Sequence, residues 1–489
     1  MEVVPASQEP AAPFSIESFC PPEARRFVLI AAILASALGF IDGSVVAIAL
    51  PAMRASLGAD LIQAQWFHNA YMLPLSALIL VGGALGDRLG MVRAFGGGIT
   101  LFVLASVLCA VAPTPAWVIG ARAVQGVGAA IMVPGSLALI ARAYPPGDRG
   151  RAIGIWAAAS ALTTALGPII GGLALGFGGP EMWRAIFAVN VPLGGTALWL
   201  LFRKLRQDTP RGHVPLDIPG ALTATLALLA IAWGLTHAGR DGAVWGWLLG
   251  GAALLALFLA VEARAAHPMM PLSLFANRTF TAANLMSFFL YGALNIMFFF
   301  MPMTFIAGWG ESEINASAVF APMSVFIAAF SARAGRLADR IGPAPLLVAG
   351  AFLAGLGYAV MGVLAPAQDL WGNVLPAMCL VGIGMALVVA PLSTAVMGAV
   401  DETQSGVASG VNNAFSRIAG LIFVAAVGGF VATLYAGAGG QASFGVLSDT
   451  PRHAPAMNAA FSGLAYIATG LCWFSAVIGA VGIRRAAFR

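Results

Sequence analysis

Charge is what this chain has least of. Only 9% of its 489 residues are charged, against about 25% in an ordinary soluble domain. With 60% of the residues hydrophobic, the apolar surface exceeds what a water-soluble core can hide. Cysteine is scarce too: Cys20, Cys109, Cys379 and Cys472 are the only four, three of them inside apolar runs. No pair has metal-ligand spacing, which excludes a disulfide framework and a cysteine-based metal site. The five histidines (His68, His213, His237, His267 and His453) are scattered. No P-loop, GxSxG or HExxH is present, so the chain does not read as an enzyme or an ATP-driven pump, and no cofactor or metal is expected. The net charge of +5 does not point to nucleic acid, because the basic residues fall in gaps between apolar runs rather than on one face.

What is present is a series of long apolar runs. They lack the alternation of a membrane barrel strand, and backbone in lipid must be helix or closed barrel, so helix is expected. Spans of about 20 residues are needed to cross. Fourteen runs qualify: 27–50, 66–86, 94–112, 116–141, 152–177, 184–202, 218–238, 245–263, 280–306, 315–334, 344–364, 371–398, 412–435 and 461–483. The first is too long for a signal-peptide core and is followed by many others, so no cleaved leader is expected. With the N-terminus placed in the cytoplasm, the inner segments hold 20 basic residues, Arg417 among them, and the outer segments 4, with Arg122 left inside the fourth run. That bias supports an even number of spans with both termini cytoplasmic.

The chain also repeats itself. Gly83-Ala84-Leu85-Gly86-Asp87-Arg88-Leu89-Gly90 follows the second run, and Gly335-Arg336-Leu337-Ala338-Asp339-Arg340-Ile341-Gly342 follows the tenth, with Gly, Leu, Asp, Arg and Gly at the same spacing. Matching charged turns in two apolar halves mark a membrane protein built from internal repeats. GxLxDRxG at this place resembles the signature loop of the major facilitator superfamily of secondary transporters. Runs one to six then match runs nine to fourteen, with runs seven and eight left as an insert. This layout resembles the 14-helix drug:proton antiporter branch of the superfamily. The expected architecture is therefore an all-α membrane protein of two six-helix bundles plus two inserted central helices. Its parts are a disordered cytoplasmic tail at 1–24, a first bundle at 25–203, a cytoplasmic linker at 204–217, the inserted pair at 218–264 and a second bundle at 278–489.

Asp42 lies inside the first run, in Phe40-Ile41-Asp42-Gly43-Ser44-Val45-Val46-Ala47-Ile48-Ala49-Leu50-Pro51. A carboxylate at such depth costs roughly 2.5–3.5 kcal/mol on insertion scales, so it faces a cavity or a partner. The stretch resembles the LDxTxVNxALP motif of the branch, departing at Gly43, Ser44 and Ala47. Arg122, in Arg122-Ala123-Val124-Gln125-Gly126, resembles the superfamily's RxxQG motif. At 1.5 Å per residue the two sit roughly 12 Å and 9 Å below the outer ends of their helices, levels that permit an ion pair. Gln125 shares the face of Arg122. Burial raises a carboxylate's proton affinity and a nearby guanidinium lowers it, so moving Asp42 relative to Arg122 would couple protons to conformation. The alternative is a permanent structural ion pair.

Three further motifs follow the resemblance. Gly167-Pro168-Ile169-Ile170-Gly171-Gly172 looks like the GPxxGG pattern of the superfamily's exporters; the plain alternative is a small-residue packing face. Gly83, Asp87, Arg88 and Gly90, with Asp339 and Arg340 in the repeat, would form the cytoplasmic gate, Asp87 facing the helix that enters near Ser405. Trp183-Arg184 opens a WRxxFxxNxPxG stretch, with the Trp expected as an interfacial anchor.

Candidates for a substrate cavity are Asn69, Tyr71, Gln125, Trp156, Tyr291, Asn295, Phe298 and Phe299. No acid lies deep in the last six runs, which favours a monovalent or neutral amphipathic substrate over a multiply cationic one. Together these features point to a proton-coupled exporter of hydrophobic or amphipathic drugs in a bacterial inner membrane. Its partners would be the lipid bilayer, protons and a small hydrophobic or amphipathic substrate, with no nucleic acid; the branch also admits a periplasmic adaptor. The rival readings are an exporter of an endogenous metabolite or lipid, and a non-transporting membrane receptor on the same fold.

Overall fold

The computed structural model describes residues 20–205, 215–238, 242–401 and 404–483. The expected tail and linker at 1–24 and 204–217 lie mostly outside them. Among the described residues there is no strand. The first half comprises α1 (Arg25–Leu57), α2 (Leu61–Leu89), α3 (Met91–Ala110), α4 (Pro115–Ala143), α5 (Pro146–Gly178) and a sixth span broken into α6 (Trp183–Ala188) and α7 (Asn190–Lys204). The insert is α8 (Ile218–Thr236) and α9 (Val244–Arg264). The second half begins with α10 (Arg278–Met303), a tenth span broken into α11 (Glu313–Ala318) and α12 (Ala321–Ile341), and α13 (Pro343–Leu364). It ends with α14 (Leu375–Met397), α15 (Ser405–Gly437) and α16 (His453–Gly482).

Thirteen of these stretches are long and apolar enough to cross a membrane. The 33-residue α5, apolar over Leu166–Gly178, supplies the fourteenth. The outward surface is apolar: Phe177 is 82% exposed and Trp245 73%. In water that would be prohibitive, whereas in lipid it is the expected coat.

Local chemistry explains the breaks. A capping box opens α2, where Asp60 Oδ1 accepts from the Gln63 N–H at 2.8 Å and Gln63 Oε1 accepts from the Asp60 N–H at 3.1 Å. Thr114 caps α4 ahead of Pro115. The repeated GxLxDRxG segments are not loops, as the sequence suggested, but the last two turns of α2 and α12. Only the final glycines break the helix, with φ of 91° at Gly90 and 83° at Gly342. Side chains rarely adopt that region, so glycine ends both repeats for the same reason. Without such a break the apolar pattern alone places the helix ends too early.

Each half packs mainly within itself, and some contacts leave no room for a Cβ. One added at Gly82 of α2 would lie 2.1 Å from the Ala130 carbonyl oxygen of α4, and one at Gly126 of α4 2.3 Å from the Tyr71 carbonyl oxygen of α2. In the insert, α8 covers the line where α2 meets α15, with Trp233 5.3 Å from Trp66. The outermost helix is α9, burying only Gly251, Phe258 and Glu262.

The chain enters α1 and leaves α16 at one end of the bundle, called the near end below. At the opposite, far end the two halves are closed against each other. Arg54, 2% exposed, donates to Ser443 Oγ at 3.0 Å, to the Phe444 carbonyl and to the Ala59 carbonyl. Gln65 donates to the Val424 carbonyl of α15.

Candidate functional site

Asp42 and Arg122 form an ion pair, each 1% exposed. Gln125 completes the group: its Nε2 donates to Asp42 Oδ1 at 2.9 Å and its Oε1 accepts from Arg122 at 2.7 Å. Gln125 also donates to Ser106 Oγ on α3, which in turn donates to the Phe102 carbonyl. Arg122 Nε donates to the Phe67 carbonyl, and its guanidinium lies 4.3 Å from the centre of the Tyr71 ring. Helical periodicity makes this assembly: Arg122 and Gln125 are three residues apart on one face of α4, aimed at the single acid of α1. Asp42, Arg122 and Gln125 each have partners, which is what allows the charges to be buried.

The GPxxGG residues lie beside the acid. A Cβ at Gly167 would meet Ser44 Oγ at 2.0 Å, and one at Gly171 would meet Val45 at 2.7 Å, both on α1 next to Asp42. The third glycine points elsewhere: a Cβ at Gly172 would lie 2.3 Å from Ser317 Oγ and 2.6 Å from the Glu313 carbonyl oxygen, on α11 of the other half. Pro168 sits inside α5 between these contacts.

A cavity of about 1050 Å³ runs from the middle of the bundle to the near end, between the halves. Six expected residues line it: Tyr71, Trp156, Tyr291, Asn295, Phe298 and Phe299. Trp156 donates to Ser36 Oγ at 2.9 Å, which fixes its ring on the wall. Two expected residues do not line it. Gln125 is drawn away by the ion pair, and Asn69 is fully buried with its amide unpartnered. Tyr71 stands between the cavity and Arg122, so the ion pair is screened from the cavity by one aromatic ring.

At the near end, Asp87 accepts from Arg142 Nη2 at 2.6 Å and shares the cavity wall with Gly83, Ser405 and Gly406. Arg88 is exposed, as are Asp339 and Arg340 in the repeat, and none of the three forms an ion pair among the described residues. Trp183 is not the interfacial anchor expected but is fully buried, edge-on to Phe187 with Arg184 over its face.

Sequence reasoning missed four residues. Arg54 and Gln65 join the halves at the far end. His68 lines the cavity edge-on to Phe299, with its Nε2 unpartnered. Arg417, counted above among the basic residues of the inner segments, lies inside α15 and lines the cavity. Its depth was available from its position within the run 412–435; the count by segments discarded it.

Two repeated six-span halves around a central cavity, with a buried ion pair beside it, define a membrane-embedded transporter of the alternating-access type. The sequence profile of the Major Facilitator Superfamily matches residues 32–424, and the chain belongs to that superfamily. Among its relatives is a methylenomycin A resistance protein of Streptomyces coelicolor, 32% identical over 81% of this chain and 84% of that one. A cephamycin export protein of Amycolatopsis lactamdurans is 34% identical, with 80% and 82% covered. A puromycin resistance protein of Streptomyces alboniger is also 34% identical, with 83% and 81% covered. A D-xylose-proton symporter superposes with a TM-score of 0.65 at 16% identity, covering 94% of this chain and 98% of that one, which speaks for the fold alone.

Proposed function

We propose that the chain is a proton-coupled exporter of hydrophobic or amphipathic drugs, working by alternating access in a bacterial plasma membrane. The near end, rich in arginine and holding the start of α1 and the end of α16, is cytoplasmic. On that reading the cavity opens inward, and the contacts of Arg54, Gln65 and Gly172 close the outward side. The observation that carries the reading is the fully partnered Asp42–Arg122–Gln125 group one aromatic ring away from the cavity. The relatives named for antibiotic resistance and export support the direction of transport.

The mechanism follows from competition for one carboxylate. While Arg122 and Gln125 hold Asp42, a proton there would displace the guanidinium and strand a buried charge. Rocking of the halves breaks the Gly172 contact of α5 with α11 of the other half. Freed there and interrupted at Pro168, α5 shifts within its own half against α1 at Gly167 and Gly171, the neighbours of Asp42. In an outward-open state the pair loosens, Asp42 takes a proton from outside and the drug leaves. Return to the inward state restores the pair and releases the proton to the cytoplasm. Each charge crossing 100 mV supplies about 2.3 kcal/mol.

The test uses inverted vesicles with an acidified lumen and a pH-sensitive dye, comparing wild type with Asp42→Asn. Substrates should release lumenal protons in wild type and not in the variant. Equal responses in both would make Asp42 structural and remove it from the coupling step.

A further inference from the structure

Arg417 is the one arginine among the described residues that line the central cavity, and the transport cycle above does not use it. It lies twelve residues into α15, about 18 Å from the near end of that helix at 1.5 Å per residue. That is near the middle of the membrane. Its Nε is buried without a partner, and it forms no ion pair among the described residues. The ionisable side chains that face it are Tyr71 of α2 and Tyr291 of α10. Asp42 lies outside the cavity and is taken by Arg122, and the acids that line the cavity, Asp87 and Asp217, stand at the near end. The same cavity is lined by Asn295, Phe298, Phe299 and Met323.

A guanidinium cannot shed its proton in a protein, and an unpaired buried charge is costly to keep. An unpaired charge in a cavity is open to a ligand. Its planar fork suits a carboxylate held by two parallel hydrogen bonds. The aromatic and methionine wall suits an apolar body of loose shape.

We propose that Arg417 is the charge-recognition group of the cavity and that the transported compounds are amphipathic organic anions, each an apolar ring system bearing one carboxylate or comparably acidic group. This rests on the exporter reading and narrows its substrate class. It also fits the sequence-based preference against multiply cationic drugs, since Arg417 would repel them.

The test compares three probes with one body, 1-naphthylacetate, 1-naphthylacetamide and 1-naphthylethylamine, using the full chain in lipid nanodiscs and in proteoliposomes. Binding is read by calorimetry and export by counterflow. Wild type should bind the acetate at least tenfold more tightly than the amide, and the amine least of all. Arg417→Gln should remove that tenfold preference while leaving amide binding within about twofold, and Arg417→Lys should keep part of it. Should the Gln variant not fold, the wild-type ranking and the Lys variant still decide. Equal binding of acetate and amide by wild type overturns the anion inference and leaves the exporter reading intact. An equal loss of all three probes in Arg417→Gln also overturns it, because Arg417 would then act on the fold or the cycle rather than on ligand charge. If wild type neither binds nor moves any of the three, both inferences fall together.

Discussion

Gly172→Ala should pull the far end of the transporter open. In the structure, the added Cβ would sit 2.3 Å from Ser317 Oγ and 2.6 Å from the Glu313 carbonyl oxygen. The Ser317 hydroxyl can turn aside, but the Glu313 carbonyl belongs to the backbone of α11 and moves only if α5 and α11 separate. Overpacking of this kind costs about 1–3 kcal/mol. The cost falls only on the conformation in which α5 and α11 touch, so it acts on the equilibrium between states rather than on both alike. At 1.4 kcal/mol per tenfold, the far-closed population should drop about 5- to 150-fold relative to the far-open one.

Spin labels on exposed residues of the two halves, Val111 and Leu447, would read that change as a distance distribution by electron–electron resonance. Wild type should give mainly the short distance, and Gly172→Ala mainly a longer one. Adding Ser317→Gly removes one of the two obstacles, so the double variant should recover only part of the short population. An unchanged distribution in Gly172→Ala, with unchanged transport, would refute the idea that this glycine sets far-end closure.

Other perturbations test other joints. Gln125→Leu removes the donor to Asp42 and leaves Arg122 with one acceptor fewer, which should lower stability by about 1–3 kcal/mol in thermal melts and reduce proton-coupled export. Arg54→Ala removes the far-end latch to Ser443 and Phe444 and should shift the same spin-label distances outward, weakening the apparent affinity of ligands that reach the cavity from the near end in proportion to the lost far-closed population. In the insert, Glu262 Oε1 is buried without a partner while its Oε2 accepts from the Met270 N–H at 3.0 Å. A Cβ on Gly220 would touch both that Oε1 and Asp217 Oδ2, so the two carboxyl groups converge there. Glu262→Gln keeps the acceptor and supplies an N–H toward Asp217, and should raise stability by about 1 kcal/mol at neutral pH; a lower melting temperature would count against this pairing.

Which features were legible in the sequence follows from how each is encoded. The span count, the repeat and the Asp42–Arg122 pair rest on one-dimensional signals: run length, spacing, and helix rise from a known end. Those survive projection onto a string. Helix ends were misjudged where polar residues continue the helix, as in Gly335–Ile341, because hydropathy reports the lipid boundary and not the backbone; the break is set by the φ of Gly342 instead. Contacts between the halves were not legible at all. Arg54 reads as a loop charge until α1 is placed beside the segment around Ser443, and Gly172 reads as the last residue of the GPxxGG pattern, with no partner to name, until α11 lies against it.

Arg417 shows why the cavity is the hardest part to read. Counting charges by segment treats every arginine near a helix end as belonging to water, which holds where a side chain can reach the interface. It fails for a residue three turns inside a helix whose face is turned to a cavity, because the cavity supplies the space that makes the charge tolerable. The same count that favoured an even number of spans therefore passed over an arginine that lines the cavity. In a transporter of this fold, a charge that fits the topology rule can still lie on the transport path, and only its unpaired state in three dimensions separates the two.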